Sequence, residues 1–442
     1  MENEKKDQTA SAEESLDANE KITALTEKKE SFIVKIKNNY ERKYEQSVKE
    51  NDIIFSETLS APPQEKPVPL SRGNIDIGFF VCSVLLLCFG AVMSYSASAV
   101  FAETYYDSSS YFLVKYIQFA LIALVVTIPF VLFARPWFWK IVGIGSYIVS
   151  IPLLIWVIVK GSVGGGAQRW IAIGSITIQP SEIAKMAIVM VLALYLSKYE
   201  KEVTSTHKFG GNFKHGFFVP MILIGALCAL IAIQPHLSGL MIVGIIGLVV
   251  MFLGGTRLKW LVMLLVMIGI VGIVFISLFG YTMDRVQIWL NIDAVDPLGD
   301  AWQTLQGLYA IGSGGFFGVG LGGSRQKFGY VSQPQNDFIF TIICEELGFV
   351  GAALVILMFA FLVWRGIKIG QRAPDKFSAL VVWGLTFKIA LQVAMNIAVV
   401  TNSMPNTGIS LPFFSSGGTS LMLQIFEVGI ILSLSRFSAQ KQ

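Results

Sequence analysis

Three carboxylates occur close together in the stretch SQPQNDFIFTIICEELGFVG, which covers positions 332–351. Asp337 precedes a run of bulky apolar residues, and Glu345 and Glu346 lie inside that run. If the run is helical, Glu345 lies about 12 Å along the axis from Asp337 and about 80° around it. Paired carboxylates that hydrolyse glycosides are roughly 5 Å or 6.5–9.5 Å apart. The spacing therefore excludes that arrangement and indicates separate roles.

Two interpretations of Asp337 are open from its position alone. It lies where a helix would begin, so either Asp337 or Asn336 could be an N-cap, a place that the helix dipole makes favourable for a carboxylate. The other interpretation is a base that accepts a proton from a hydroxyl group. Acidic residues in membrane segments usually face the protein interior and have polar partners there. We therefore favour structural ion pairs over chemistry for Glu345 and Glu346.

A second polar segment, GAQRWIAIGSITIQPSEIAK at 166–185, contains two cations and one acid. Pro180 suits the first turn of a helix. Arg169 and Lys185 could bind an anion such as a pyrophosphate at the outer leaflet. Equally, Lys185 could pair with Glu182, three residues earlier, or with an acid of the first segment. These alternatives have equal weight on the sequence alone.

The elements that position these side chains must be membrane helices. The chain has 442 residues, is 54% hydrophobic and only 14% charged, and has a mean hydropathy of +0.62. Apolar runs of about 18 residues or more, long enough to cross a bilayer as a helix, recur along it. The predicted fold class is an all-α polytopic membrane protein. We place about ten transmembrane helices near 76–99, 112–134, 139–160, 180–198, 217–235, 237–255, 258–280, 337–364, 377–400 and 416–436.

Charged residues are unevenly distributed along the chain. Residues 1–73 are predicted to form a charged, mostly disordered tail that ends in the Pro-rich linker SAPPQEKPVPLSR, and residues 74–442 the membrane domain. Lys and Arg are concentrated in alternate loops, which predicts that both termini face the cytoplasm. On the outer side this leaves four cations in loops, namely Arg169, Arg285, Arg325 and Lys327.

Irregular backbone is predicted at three places on the outer side. A long extracytoplasmic loop, 281–336, separates spans seven and eight and is rich in glycine. QPHLSG at 234–239 and MPNTGISLPFFSSGGTS at 404–420 interrupt apolar stretches. Irregular backbone at membrane depth is tolerated only where protein or a water-filled cavity covers it. The two interruptions therefore predict a polar cavity near the outer leaflet.

The composition also narrows the choice of ligands. The four cysteines form no CxxC pair and the three histidines are scattered, so no protein metal site is predicted. The string GVGLGG lacks the strand and helix that a nucleotide fingerprint requires. No nucleic-acid partner is expected.

Five motifs in order along the chain carry a family resemblance. They are SYSASA at 94–99, GAQRWIAIGSITIQPSEIAK, QPHLSG, QKFGYVSQPQNDFIFTIICEELGFVG at 326–351 and NTGISLPFFSSGGTSLM at 406–422. From Ile75 to the C-terminus the chain resembles the SEDS family of peptidoglycan polymerases, the FtsW, RodA and SpoVE type. The long tail is more similar to the division or sporulation branch than to the RodA branch, so an FtsW-like member is expected.

This resemblance implies a glycosyltransferase that polymerises lipid II at the outer face of the bacterial cytoplasmic membrane, for cell division or cell-shape maintenance. The family's catalytic aspartate corresponds to Asp337. Its charged motif positions correspond to Glu182, Lys185, Glu345 and Glu346. The departing pyrophosphate needs its charge stabilised. Arg169, Lys185, Arg325 and Lys327 are the candidates, or a divalent cation (Mg²⁺ or Mn²⁺) bridging Asp337 and pyrophosphate, although no cofactor is required by the sequence. A class B penicillin-binding protein transpeptidase and other divisome or elongasome proteins are the partners implied.

The chain departs from the family pattern at several positions. His236 and Ser238 replace the Asp and Gly of the common QPDLG string, and Ser416 replaces a Tyr. Asn336 stands where Thr is frequent. Two alternative functions stay open: a lipid II flippase, since interrupted helices are typical of transporters, and a non-catalytic scaffold in which Asp337 is only a cap.

Overall fold

The computed structural model describes residues 73–164, 167–174, 176–204, 213–234, 236–278, 280–292, 296, 299, 301–332, 334–415 and 418–437. Apart from Gly73, the predicted tail lies outside the described residues, as does Ser416. Within the described residues the helices are α1 (Ile77–Tyr106), α2 (Tyr111–Phe133), α3 (Pro136–Lys160), α4 (Pro180–Lys198), α5 (Glu200–Thr204), α6 (Val219–Ile233), α7 (Leu237–Leu253), α8 (Leu258–Leu278), α9 (Gly280–Leu290), α10 (Trp302–Ser313), α11 (Ile339–Gln371), α12 (Lys376–Val400) and α13 (Gly418–Ser435).

The predicted class, a helical polytopic membrane protein, is confirmed. Among the described residues, eight helical segments are long and apolar enough to cross a membrane; they include α1 to α4, the segment Lys214–Ile233 that ends in α6, and α11 to α13. Two shorter apolar helices, Leu237–Leu253 and Leu258–Val274, correspond to predicted spans six and seven. The count of ten therefore stays a prediction, and so does the position of the long loop.

Local sequence signals account for several helix boundaries. Pro180 occupies the first turn of α4 as expected, because its missing N–H would have no helical partner there. The QPHLSG interruption separates α6 from α7, and the interruption after Val400 separates α12 from α13. The loop predicted at 281–336 contains two helices, α9 and α10, so it is more structured than its glycine content indicates.

The segment between α3 and α4 forms a small antiparallel sheet that the all-α prediction did not include. Its strands are β1 (Ser162–Gly164), β2 (Ala167–Ile173) and β3 (Ile176–Ile178), in the order β1-β2-β3. Ile171 pairs with Ile178 in the β2–β3 hairpin. The Thr419 hydroxyl donates a hydrogen bond to the Thr177 carbonyl oxygen at 2.9 Å, so the sheet contacts the start of α13.

Helices α4 and α12 form the centre of the bundle. In each of them, 72% of the most apolar 18-residue stretch is buried inside the protein. The corresponding share is 22–39% in α1 to α3 and α11. Helix α4 contacts α3, α7 and α12, and the largest cluster of buried apolar side chains includes residues of all four. A charged side chain on the inner face of α4 or α12 must therefore find its partners inside the protein.

Two polar layers define the depth of the bundle. At one end, the Arg365 guanidinium on α11 donates two hydrogen bonds to the Asp76 carboxylate, at 2.6 and 3.1 Å. At the other end, Glu346 on the same helix accepts a hydrogen bond from Ser96 of α1 at 2.6 Å. The spacing of Glu346 and Arg365 along α11 corresponds to about 28 Å at the helical rise. This matches the hydrocarbon thickness of a bilayer, about 30 Å, so if α11 spans the bilayer, Glu346 and Arg365 lie near its two opposite boundaries.

Candidate active site

Asp337 is held in place through its backbone. Helix α11 begins at Ile339, its N-cap residue is Phe338, and no side chain caps it. The predicted capping role for Asp337 or Asn336 is therefore wrong. The amide of Asn396, on α12, donates hydrogen bonds to the main-chain oxygens of Asp337 and Ile409, each at 2.7 Å. This bridge fixes the turn before α11 against the loop between α12 and α13.

The Asp337 carboxylate remains available for chemistry. Of the hydrogen bonds between described residues, Asp337 forms one, through its main-chain oxygen and not through its carboxylate. Gly408 adopts a left-handed conformation (φ 65°), and a Cβ there would lie only 3.2 Å from Asp337 Oδ2. The glycine thus lets the α12–α13 loop approach the carboxylate closely.

Two arginines from distant parts of the chain influence this acid. Burial raises the pKa of Asp337 to about 6, against the opposing fields of Arg285 and then Arg169. Arg285, on α9, donates a hydrogen bond to the Asn406 main-chain oxygen at 2.5 Å. Arg169 lies on β2. The site therefore combines an acid that is ionised at neutral pH with two cations that could contact an anion beside it.

A second group of charges is a buried chain of four residues, which we call the buried quartet: Lys185, Glu182, Lys388 and Glu427. Lys185 forms an ion pair with Glu182, as one of the alternatives predicted, and Lys388 forms an ion pair with Glu427. The Lys388 ammonium also lies 4.0 Å from the second oxygen of Glu182. Four groups with no net charge thus link α4, α12 and α13.

Glu345 and Glu346 belong to a different structure, which we call the outer clamp. Glu345 accepts hydrogen bonds from the Ser324 hydroxyl at 2.5 Å and from the Arg325 backbone N–H at 2.8 Å. Glu346 accepts from the Ser96 hydroxyl and forms an ion pair with Lys327 at 3.0 Å. Both acids therefore have the polar partners expected of them.

The outer clamp holds the glycine-rich loop after α10 against a kink in α11. Gly348 has φ 65° and ψ −163°, which breaks the helix. The N–H groups of Val319 and Gly320 donate to the main-chain oxygens of Glu345 and Glu346, at 3.0 and 2.9 Å. A Cβ at Gly348 would lie 2.3 Å from the Gly318 nitrogen, so this contact requires glycine.

The candidate site residues predicted from the sequence thus lie in three different places in the structure. Arg169 lies within electrostatic range of Asp337, and Glu182 and Lys185 lie in the buried quartet. Lys327, Glu345 and Glu346 lie in the outer clamp, while the Arg325 side chain is exposed beside it. His236 is buried and interacts electrostatically with Arg169 and Lys185.

Four residues of the site were missing from the sequence prediction. Arg285 had been recognised as an outer cation but was not assigned to the site. Asn396, Lys388 and Glu427 were not considered. Lys388 and Glu427 carry a signal that would have found them, because each is a charged residue in the middle of an apolar span, where such residues are usually functional.

The side chains of the site limit which metal ion could bind there. Among the described residues, no group of three or more His, Cys, Asp or Glu side chains could bind a metal ion. A divalent cation at Asp337 would take a single carboxylate from the protein and its other ligands from water and a phosphate. That is an arrangement Mg²⁺ accepts.

Comparison with known proteins agrees with this fold. A bundle of membrane-length helices with Asp337 just before α11 defines a class of helical membrane proteins that includes proteins of known structure. A chain in a structure of a peptidoglycan synthase complex that coordinates polymerization and crosslinking superposes with a TM-score of 0.65. It shares 25% sequence identity over 83% of this chain and 99% of that one. RodA of Thermus thermophilus shares the fold with a TM-score of 0.61, at 23% identity over 83% of this chain and 98% of that one.

The chain belongs to the FtsW, RodA and SpoVE family, described as cell cycle proteins, whose profile matches residues 77–440. Stage V sporulation protein E of Bacillus subtilis (strain 168) is 41% identical over 367 residues, 82% of this chain and 97% of that protein. A probable peptidoglycan glycosyltransferase FtsW of the same organism is 34% identical over 372 residues, 81% and 90% of the two chains.

Proposed function

We propose that this protein is a peptidoglycan glycosyltransferase that polymerises lipid II, with Asp337 as the general base. The 4-hydroxyl of an acceptor sugar attacks the anomeric carbon of the lipid-linked donor. Asp337 takes the hydroxyl proton, a glycosidic bond forms, and undecaprenyl pyrophosphate leaves with the bonding electrons. The observation that carries this proposal is an Asp337 carboxylate without a protein hydrogen-bond partner among the described residues and with its pKa raised to about 6, near the value that suits a base at neutral pH.

The cations beside Asp337 support the second half of the reaction. Arg169 and Arg285 interact electrostatically with the carboxylate, so a pyrophosphate next to the base would lie within their field. Such fixed positive charge stabilises a leaving group where negative charge develops. We propose that these two arginines and Lys185 bind the pyrophosphate. A bound Mg²⁺ or Mn²⁺ would add further positive charge beside it. In the outer clamp, Lys327 pairs with Glu346, and Ser324 contacts both Glu345 and Lys327. We therefore propose that these residues hold the loop that borders the site.

Location and partners follow from the same proposal. The asymmetry of Lys and Arg supports a multi-pass protein of the bacterial cytoplasmic membrane with both termini in the cytoplasm. Asp337 and the arginines are then on the outer side, where lipid II is consumed. We propose a class B penicillin-binding protein transpeptidase as partner, supported by the similarity to a chain of a peptidoglycan synthase complex. Cell division, sporulation or cell-shape maintenance is the process served.

The test is glycan synthesis from purified lipid II by the full-length protein with its transpeptidase partner, wild type beside Asp337→Asn. Wild type is expected to make glycan strands, and the folded Asp337→Asn protein is expected to make them at least about a hundredfold more slowly. Chain growth by Asp337→Asn at the wild-type rate would reject the role of this residue. Absence of synthesis by wild type, with and without the partner, would reject the enzymatic function.

One observation favours transport of lipid II as a second candidate. Lys388 and Glu427 lie at the middle of their helices, and charges at such depth often mark a substrate path. Vesicles that contain only this protein and labelled lipid II separate the two functions. Movement of label across the bilayer without polymerisation would favour transport.

A further inference from the structure

Lys388 and Glu427 occupy the costliest positions in the bundle. Lys388 has twelve residues of α12 on either side, and Glu427 has nine residues of α13 before it and eight after it. If the helices span the bilayer, each charge lies about 18 Å or less from either end, at mid-membrane. Their side chains are 1% and 0% exposed. A charged pair at this depth needs a reason beyond stability, because a well-packed apolar pair is often as stable or more so.

The contacts of Lys388 indicate that reason. Its ammonium binds Glu427 and also approaches the Glu182 oxygen that Lys185 does not use, at 4.0 Å. Glu182 is therefore shared between two ammonium groups. If Lys185 were its only cation, Glu182 would neutralise it completely. Because Lys388 takes part of that carboxylate's charge, Lys185 keeps positive potential for another partner.

The buried quartet is also polarised. Its charges alternate from Lys185 through Glu182 and Lys388 to Glu427. The Lys185 end interacts with His236, and His236 also lies in the field of Arg169. The Glu427 end lies within the bundle, where Lys388 is the partner of Oε1 and Oε2 has no hydrogen-bond donor among the described residues. The Lys185 end of the quartet thus shares His236 with Arg169, and the Glu427 end is held by Lys388.

Helix α12 connects the quartet to the proposed base. Asn396, which holds the Asp337 backbone, is eight residues beyond Lys388 on α12. Eight residues correspond to about 12 Å along the helix. One helix therefore sets both the position of the base and the position of the ammonium that shares Glu182.

We infer that Lys388 and Glu427 are positioning residues, which orient Glu182 and leave Lys185 its positive charge for the pyrophosphate of the lipid-linked substrate. The inference rests on the proposed function, since it names the ligand of that site. Neither residue touches the substrate. Their effect is expected in pyrophosphate binding and not in proton transfer at Asp337.

The test uses the full-length protein with its transpeptidase partner and two double variants that remove the pair without leaving a lone buried charge. Lys388→Met with Glu427→Leu replaces the pair by apolar side chains, and Lys388→Gln with Glu427→Gln replaces it by two amides that can hydrogen-bond each other. Lys376→Met with Glu200→Gln is the matched control, because it removes an ion pair at the cytoplasmic end of the same helix. Three quantities are measured: the melting temperature, binding of undecaprenyl pyrophosphate in nanodiscs, and KM and kcat for lipid II.

Both double variants are expected to melt at or above the wild-type temperature. They are also expected to bind undecaprenyl pyrophosphate about tenfold or more weakly, with a matching rise in KM, as for the loss of one charge-assisted contact. The control should behave as wild type in all three measurements. Wild-type binding and KM in a folded double variant would overturn the inference, because a merely structural pair would give that result.

The binding measurement separates this inference from the proposed function. If wild type binds undecaprenyl pyrophosphate and the double variants bind it weakly, the positioning role stands even when wild type makes no glycan. In that case only the polymerase function fails. If wild type itself does not bind undecaprenyl pyrophosphate, the inference fails as well.

Discussion

Asp337 and the pair Glu345–Glu346 are close in sequence but have opposite surroundings. Each acid of the outer clamp has both carboxylate oxygens occupied by donors from Ser96, Ser324, Arg325 or Lys327. Asp337 forms its hydrogen bond through the backbone, and its carboxylate faces two arginines without a hydrogen bond to a described residue. An acid whose oxygens are all used can hold a structure together. An acid whose carboxylate has no protein donor is available to accept a hydrogen bond from a substrate hydroxyl and then its proton.

The largest expected effect comes from Asp337→Asn. Removal of a general base typically costs about 10²–10⁴ in rate, so glycan synthesis from lipid II should fall by at least that lower factor. The same variant should be more stable at neutral pH. Because burial raises the Asp337 pKa in the folded state, ionisation opposes folding, and stability is lost as pH rises from the unfolded pKa through about 6.

Melting temperatures of Asp337→Asn and wild type check the second half of that prediction. The variant should melt higher at about pH 8, and the difference should disappear toward about pH 3 and below, where the carboxyl group is mostly protonated in both states. A variant that melts lower than wild type at neutral pH would show that Asp337 is structural, like the acids of the outer clamp.

Glu346→Gln should produce the reverse pattern. It leaves the buried Lys327 ammonium without its carboxylate, and breaking a buried pair typically costs about 3–5 kcal/mol. The free energy of unfolding, measured in detergent by denaturant titration, should fall by about that amount. Lys327→Met combined with Glu346→Leu is the control, and it should recover much of the loss. Full stability of Glu346→Gln would contradict the clamp.

Gly348→Ala tests whether the kink in α11 is required by the loop that the clamp holds. A methyl group there would collide with the Gly318 nitrogen, and φ is 65°. We expect a loss of at least about 1 kcal/mol in unfolding free energy. Gly312→Ala is the matched control, since that glycine is helical and a Cβ there meets nothing within 4 Å. Equal stability of the two variants would contradict the account of the kink.

Arg285→Met sharpens the account of Asp337 with a smaller effect. Arg285 is the first of the two cations whose field lowers the Asp337 pKa. Without it, the pH at which polymerisation becomes half-maximal should rise above the wild-type value. The readout is the pH dependence of kcat/KM on lipid II, which a purely structural change would not move. Arg372→Met, at the opposite end of α11, is a suitable control.

Much of the bundle is predictable from local patterns. Hydropathy located the eight long helices, Pro180 marked the start of α4, and both interruptions were found where the helices break. The small sheet could also have been found, because WIAI and ITI lie on either side of a glycine that can form a turn. The prediction that Arg169 lies in a loop misses the three short strands of this segment.

The site was less accessible from sequence, for a physical reason. Ser324 and Lys327 reach the acids of the outer clamp because a loop folds back against a kinked helix, over about 20 residues of chain. Arg285 meets Asp337 across an even longer separation. Such contacts depend on tertiary packing, which periodicity does not report. Lys388 and Glu427 are different, because a charged residue inside an apolar span already indicates a buried charge. The sequence does not indicate which residues they contact.

The most direct measurement of the central claim is the pH dependence of wild-type glycan synthesis from lipid II in the presence of the transpeptidase partner. If Asp337 is the base, kcat/KM should be constant at neutral and higher pH. Below about 6 it should fall roughly tenfold for each unit of pH, as the carboxylate becomes protonated. A rate that stays constant well below that pH would show that no group with the properties of Asp337 accepts the proton.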